Sequence, residues 1–370
     1  MNEQKNLFLA IAISIAIIVI FQFLFPTQSI TVSENIKDEV ITPATSIDDQ
    51  QTNKIEIIKP KDVVLQLDDR VLIESPSLSG SINLKGAILD DLSLLKYKTS
   101  LKDNSKNIDL FLPDGTTNPY YVEFGWKELS NNSIELPDLN TNWDTNSSTL
   151  SPANPITLSW TNNNNIVFLI HFSLDENYMF SIRQEIINKS NEDIEIYPYR
   201  LIKRINTPQT INFFILHEGL ISLVNDELLE KKYDDLADDC TSNISTKDSY
   251  CDNKAQGGWL GFTDKYWMAT LIPDPNESIN INFRHGNNGR DSFRTGYVGQ
   301  VFKVNSGQSM NYRGQLFAGA KNLDILNLYS SNLSIPRFTD AIDWGWFSFL
   351  TKPISYAINW FYSYVGNFGL

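Results

Sequence analysis

Residues Ile166 to Asn188 read IVFLIHFSLDENYMFSIRQEIIN, two apolar-rich runs on either side of the polar triplet Asp175-Glu176-Asn177. In the second run Phe180, Ile182 and Ile186 alternate with Ser181, Arg183 and Glu185. Successive side chains of a strand point to opposite faces, so a period of two marks an element with one buried face. Two such runs around a short polar turn predict a β-hairpin, Ile166 to Leu174 paired with Tyr178 to Asn188. A third strand, Ile194 to Ile202, is expected after the polar turn Lys189 to Asp193.

Working outward, Ile279, Ile281 and Phe283 alternate in the same way with Asn280, Asn282 and Arg284. Short strands punctuated by Gly, Pro, Asn and Asp recur from Val63 to Phe317, with no long helical pattern between them. The glycine-rich stretch Gly286 to Gly299 reads as turns, and Asp234 to Asn253 as an acidic loop. The fold class is therefore mainly β, a large antiparallel sandwich over residues 61–335. Leu323, Leu326 and Leu328 predict a short helix packed on it, within Ala320 to Ser331.

Before the sandwich lies Leu7 to Phe25, LFLAIAISIAIIVIFQFLF, with no ionisable residue. At about 1.5 Å per residue this run just spans a hydrocarbon core about 30 Å thick. A cleavable signal peptide is the competing reading, but it calls for a shorter apolar run and a small-x-small site. The Pro-Thr-Gln-Ser after Phe25 supplies no such site, so the run is read as an uncleaved anchor. Lys5 before it and Glu34, Asp38 and Glu39 after it orient residues 1–6 to the cytoplasm and the bulk of the chain to the outside. Residues 26–60, poor in aromatics and rich in Ser, Thr, Asn, Asp and Gln, read as a solvated tether.

Past the sandwich the period changes once more. Over residues 340–364, Trp346, Phe349, Leu350, Ile354, Ala357, Ile358 and Phe361 recur at helical spacing, with Ser348, Lys352, Ser355, Asn359 and Ser363 on the other side. Together with Trp344 and Trp360 they predict a helix lying in a membrane interface, with Pro353 in its first turn. An amphipathic helix docked on the sandwich is the alternative. Residues 365–370 are expected to begin a second membrane helix.

Composition narrows the function. A formal net charge of −14 is the wrong sign for a nucleic-acid partner. The hydrophobic fraction of 42% confines any membrane span to a local segment. Only His171, His217 and His285 are present, without metal-site spacing, and no nucleophile elbow, Walker loop or dinucleotide fingerprint occurs. The doublets Asp68-Asp69 and Asp238-Asp239 place carboxylates on adjacent residues, which usually point apart, so no catalytic pair, metal site or cofactor is assigned. Cys240 and Cys251 are read as a disulfide if their segment meets an oxidant, with two separate thiols or a metal site as the alternatives.

Four stretches, in order, resemble one family. Met1-Asn2-Glu3-Gln4-Lys5-Asn6-Leu7 looks like the opening of the YidC insertases of Gram-negative bacteria. Gly257-Gly258-Trp259-Leu260-Gly261-Phe262-Thr263-Asp264-Lys265-Tyr266-Trp267 resembles their most recognisable periplasmic motif. Phe317-Ala318-Gly319-Ala320-Lys321 and the ending Pro353 through Trp360 to Gly366-Asn367-Phe368-Gly369-Leu370 are similar to the family as well. The likeness covers the whole chain, least in the tether and around Cys240 to Cys251.

The resemblance implies a β-supersandwich periplasmic domain related to sugar-binding and mutarotase-like folds. It also implies an insertase that passes nascent membrane proteins into the lipid bilayer, alone or beside Sec translocon subunits, without a cofactor. In the family a later helix bundle with a cationic groove does that work, whereas this sequence stops at Leu370, so a fragment is expected. The runner-up reading is a membrane-anchored carbohydrate-binding module. A third is an epimerase-like enzyme, which requires His and carboxylates to converge in one pocket.

Overall fold

The computed structural model describes residues 58–102, 104–129, 134–208, 217–240, 251–287, 289–345 and 347–365. The expected anchor and its orientation, the tether up to residue 57, Trp346, and Gly366, Asn367 and Gly369 of the family ending lie outside the described residues. Among the described residues no helix is long and apolar enough to cross a membrane.

Two large sheets form the body. One contains, in spatial order, Asp252–Gln256, Ser278–Asn287, Asp291–Val298, Ile194–Ile205, Tyr120–Glu128, Ile88–Lys98, Leu78–Asn83, Arg70–Glu74 and Thr149–Leu150. Phe302–Val304 and Asn107–Phe111 pair off that path. The other runs Glu227–Lys232, Gly219–Val224, Trp259–Thr263, Trp267–Pro273, Ser309–Ala320, Met179–Asn188, Ile166–Leu174, Ile156–Thr161 and Asp144–Thr145. Pairing is antiparallel except where Arg70–Glu74 meets Thr149–Leu150.

The expected hairpin forms, with Phe180 opposite Leu174 and Asn188 opposite Ile166. Ile166, Phe168, Ile170, Phe172 and Leu174 are buried while His171 and Ser173 face outward, so the alternation in sequence is the alternation of faces. After the turn at Lys189 to Asp193 the chain crosses to the other sheet, and Ile194–Ile205 becomes one of that sheet's inner strands. The two inner faces meet through aromatic edges: Phe124 against Phe172 at 5.5 Å and Trp126 against Phe168 at 5.2 Å between ring centroids.

A buried polar tie joins the sheets as well. Arg200 is fully buried, and its Nε donates to Gln184 Oε1 at 2.9 Å. Its Nη2 donates to the Ile182 carbonyl at 3.1 Å, while Gln184 Nε2 donates to the Gly125 carbonyl at 2.8 Å. A charge held between sheets is costly unless its donors find acceptors, as Nε and Nη2 do here.

The glycine-rich stretch is not a set of turns, because Asp291–Val298 is an inner strand between Ser278–Asn287 and Ile194–Ile205. Gly296 is small because it must be: a Cβ there would lie 2.3 Å from the Arg200 carbonyl oxygen of the neighbouring strand. Nor is the acidic stretch all loop, since Tyr233–Asp239 is helical and Asp252–Gln256 is an edge strand. Tyr233 and Leu236 are buried there, which supplies the apolar anchoring that an acidic composition conceals.

The C-terminal helix starts later than expected, at Ser348, and runs to Val365. Phe338–Ala341 is a short 3-10 turn, and Gly345 at φ +67° breaks the path between the two. Pro353 therefore sits inside the helix rather than in its first turn, and the Phe349 carbonyl loses its intrahelical donor.

Candidate membrane interface

The glycines of Gly258 to Trp267 are set by close approach. Gly258 has φ +85°, and a Cβ there would meet the Leu223 carbonyl oxygen at 2.1 Å. At Gly261 the corresponding contact, with the Ala269 carbonyl oxygen, is 1.9 Å. Between them Trp259 points into the core, fully buried, its indole N–H donating to the Pro336 carbonyl at 3.0 Å and its ring meeting Phe338 edge-on at 5.6 Å. Phe338 also packs edge-on against Phe317, at 5.4 Å. The segment leading out of the sandwich is thus clamped by the motif.

The polar half of the motif builds a charge cluster beside that clamp. Arg204 donates to Asp264 Oδ1 at 2.8 Å and to the Tyr233 hydroxyl at 3.0 Å, with its guanidinium 4.6 Å from the Tyr120 ring centre. Lys321 donates from Nζ to Thr263 Oγ1 at 2.9 Å. Burial pulls its ammonium down to about 8 against the opposing pull of Asp264, Asp343, Glu230 and Glu218. The Lys265 backbone N–H donates to Glu218 Oε1, and the Lys321 N–H to the Tyr266 carbonyl at 2.9 Å. Burial likewise lowers His217, whose backbone N–H donates to Asp343 Oδ2 at 3.0 Å. The His217 contact fastens Asp343, at the root of the last helix, to the start of the Gly219–Val224 strand.

From that root the helix is held by its polar side. Lys352 Nζ contacts Asp340 Oδ1 at 3.0 Å, Thr351 Oγ1 donates to the Trp344 carbonyl at 2.7 Å, and Trp344 Nε1 donates to the Thr339 carbonyl at 3.0 Å. Burial raises Asp340, yet Arg337 and Lys352 hold its carboxyl below the ordinary value. Tyr356 donates from its hydroxyl to Asn327 Oδ1 at 3.1 Å, across to the Leu323–Asn332 helix.

The apolar side faces away. Thr351, Lys352 and Ser355 are half-buried, whereas Phe349, Leu350, Ile354, Ile358, Trp360, Phe361 and Tyr364 are all exposed, Phe349 by 76% and Phe361 by 60%. A docked amphipathic helix turns its apolar side inward, so this inverted arrangement argues against the docked alternative. It suits a surface with hydrocarbon on one side and headgroups on the other. Of the expected interface residues that the structure describes, Trp344 is the exception: it is half-buried and serves the root of the helix.

Cys240 and Cys251 are joined by a disulfide, with Cα atoms 5.6 Å apart, and both side chains are buried. Among the described residues no group of His, Cys, Asp and Glu is placed to hold a metal ion. A cavity of about 640 Å³ lies on the solvent side of the nine-stranded sheet, around His171, Ser181, Arg183, Arg313 and Gln315. His171 Nε2 lies 3.0 Å from Glu185 Oε2 and its Nδ1 lies 2.9 Å from Thr157 Oγ1. Phe172 is the one Phe, Tyr or Trp among the described residues that line the cavity, and it is buried.

Against known proteins, residues 70–357 match the family model described as the YidC periplasmic domain. A protein of Rickettsia prowazekii named membrane protein insertase YidC is 37% identical over 386 residues, a match covering 100% of this chain and 64% of that one. A protein of the same name from Rickettsia bellii is 40% identical over 303 residues, covering 81% of this chain and 52% of the relative. The chain thus spans under two thirds of the length of these relatives. Among solved structures, a galactose mutarotase related enzyme from Lactobacillus acidophilus covers 67% of this chain at 9% identity and a TM-score of 0.44. A putative aldose 1-epimerase from Escherichia coli covers 67% at 11% identity and a TM-score of 0.41.

Proposed function

The chain belongs to the YidC family, and from that premise we propose that it serves membrane protein insertion at the bacterial inner membrane. In this reading residues 1–6 are cytoplasmic, 7–25 anchor the chain, 26–60 tether it, and the sandwich stands in the periplasm. Its substrates are nascent membrane proteins, and Sec translocon subunits are its neighbours. The names of the relatives do not favour the carbohydrate-binding alternative.

The observation that carries the role of this part is the inverted helix Ser348–Val365, rooted in the sandwich by polar contacts and exposing its apolar residues. Lying at the headgroup boundary, such a helix fixes the height and tilt of the sandwich over the bilayer where hydrophobic segments enter. A photoreactive residue in place of Phe361, in cells carrying a ribosome-stalled nascent membrane protein, tests this. Crosslinks to lipid and to the nascent chain are expected. Crosslinks to neither, with saccharide binding detected by calorimetry, refute it.

A further inference from the structure

The end of the Ile88–Lys98 strand and the turn that joins it to Asn107–Phe111 read LKYKTSLKDNSK from Leu95 to Lys106. Lys96, Lys98, Lys102 and Lys106 stand there against one acid, Asp103, in a chain of formal net charge −14. All four lysines are exposed, as are Leu95 and the fully exposed Leu101. Cations mixed with projecting apolar side chains are poorly matched to bulk water. They match the boundary where ammonium groups reach phosphates and leucines reach acyl chains.

Contacts run from this turn through the family motif to the middle of the exposed helix. Tyr97 packs edge-on against Trp267 at 5.0 Å, Trp267 meets Tyr266 at 5.8 Å, and Lys265 Nζ lies 4.8 Å from the centre of the Tyr266 ring. Tyr266 is 54% exposed, the arrangement of an interfacial aromatic with a cation beside it. Its carbonyl accepts from the Lys321 N–H, one residue before the Asn322 cap of the Leu323–Asn332 helix. Asn327 of that helix is the residue that Tyr356 of the exposed helix bonds.

We infer that Leu95, Lys96, Leu101, Lys102 and Lys106, with Lys265 and Tyr266, form a second membrane contact that takes the phosphate headgroups of anionic phospholipids. The inference rests on the interfacial reading of the helix and adds to it a lipid preference. The helix alone, anchored by apolar area, distinguishes little between neutral and anionic bilayers. The lysines do distinguish them, by roughly fivefold in affinity for each one near an anionic surface.

The sequence holds two cysteines and these are bonded to each other, so one introduced thiol labels one site. The full chain, reconstituted into vesicles of neutral phosphatidylcholine or of phosphatidylcholine with phosphatidylglycerol, carries a fluorophore at Leu101→Cys or at Phe361→Cys. The quencher is a nitroxide on the lipid headgroup. Expected is quenching at position 361 in both vesicles, and at position 101 only with phosphatidylglycerol. The position 101 signal is lost in K96Q/K102Q/K106Q and at about 0.5 M salt, where the screening length is a few ångströms. Quenching at 361 with none at 101, or equal quenching at 101 in both vesicles, overturns the inference alone. No quenching at 361 overturns the interfacial reading beneath it.

Discussion

Replacing Trp259 is expected to loosen the junction between sandwich and helix by a computable amount. The side chain is fully buried. A Trp of this kind removes about 150–250 Å² from water, which at about 25 cal/mol/Å² is roughly 4–6 kcal/mol as an upper bound. Measured Trp→Ala losses in cores run at about 3–5 kcal/mol. The indole N–H bond to Pro336, at 3.0 Å, contributes a net of about 1 kcal/mol within that. Trp259→Ala should therefore destabilise by about 4 kcal/mol, and Trp259→Phe by about 1–2 kcal/mol. Urea unfolding followed by near-UV circular dichroism reads this as a fall of at least about 1 M in the midpoint for the alanine variant, given slopes of about 1–3 kcal/mol/M. The edge-on contact with Phe338 adds a second readout. In a double-mutant cycle, Trp259→Ala and Phe338→Ala should couple by about 0.5–1.5 kcal/mol. A loss below about 1 kcal/mol for Trp259→Ala, or strict additivity with Phe338→Ala, refutes the clamp.

Gly261→Ala should prevent the Trp259–Thr263 strand from closing on Trp267–Pro273, since the new Cβ would stand 1.9 Å from a backbone carbonyl; a thermal midpoint equal to that of the parent contradicts this. Reducing Cys240–Cys251, or replacing both with Ser, should lower stability by about 2–3 kcal/mol for so short a loop, read as a reductant-dependent fall in unfolding temperature. Burial pushes the Glu277 carboxyl up to about 7 from its ordinary 4.5, against the pull of Tyr312 and Arg200. Between those values the folded chain binds more protons than the unfolded one. The contribution of Glu277 is therefore greatest below about 4.5 and falls as pH rises through about 7. Glu277→Gln should flatten that slope in pH-dependent unfolding, and an unchanged slope counts against the burial argument.

The hairpin was legible in the sequence because one of its faces is buried and the other wet, so Phe168, Ile170 and Phe172 announce their direction by spacing alone. Asp291–Val298 was not, for the opposite reason. Its residues from Phe293 to Val298 are all buried, which erases the alternation, and Gly296 is present for close approach rather than for a turn. The crossing of Ile194–Ile205 to the other sheet leaves no local mark, because strand pairing is decided by partners distant in sequence. The exposed helix was legible as an apolar stripe, but its start was not: Gly345 and the Asp340–Lys352 contact set it, and both depend on the fold around them. The Arg204–Asp264 and Lys321–Thr263 contacts join residues about 60 positions apart and gave no signal beyond the family motif.

The central claim is that Ser348–Val365 lies with its apolar side in lipid and its polar side toward the sandwich. Single nitroxide labels at Phe349, Thr351, Ile354, Ser355, Ile358 and Phe361 of the membrane-reconstituted chain, read by spin resonance for access to oxygen and to a water-soluble nickel complex, test it directly. Oxygen access should peak at 349, 354, 358 and 361 and fall at 351 and 355, with nickel access low at the four peaks. High nickel access at Phe349, Ile354 and Phe361, or equal values at all six positions, would contradict a helix seated in the membrane interface.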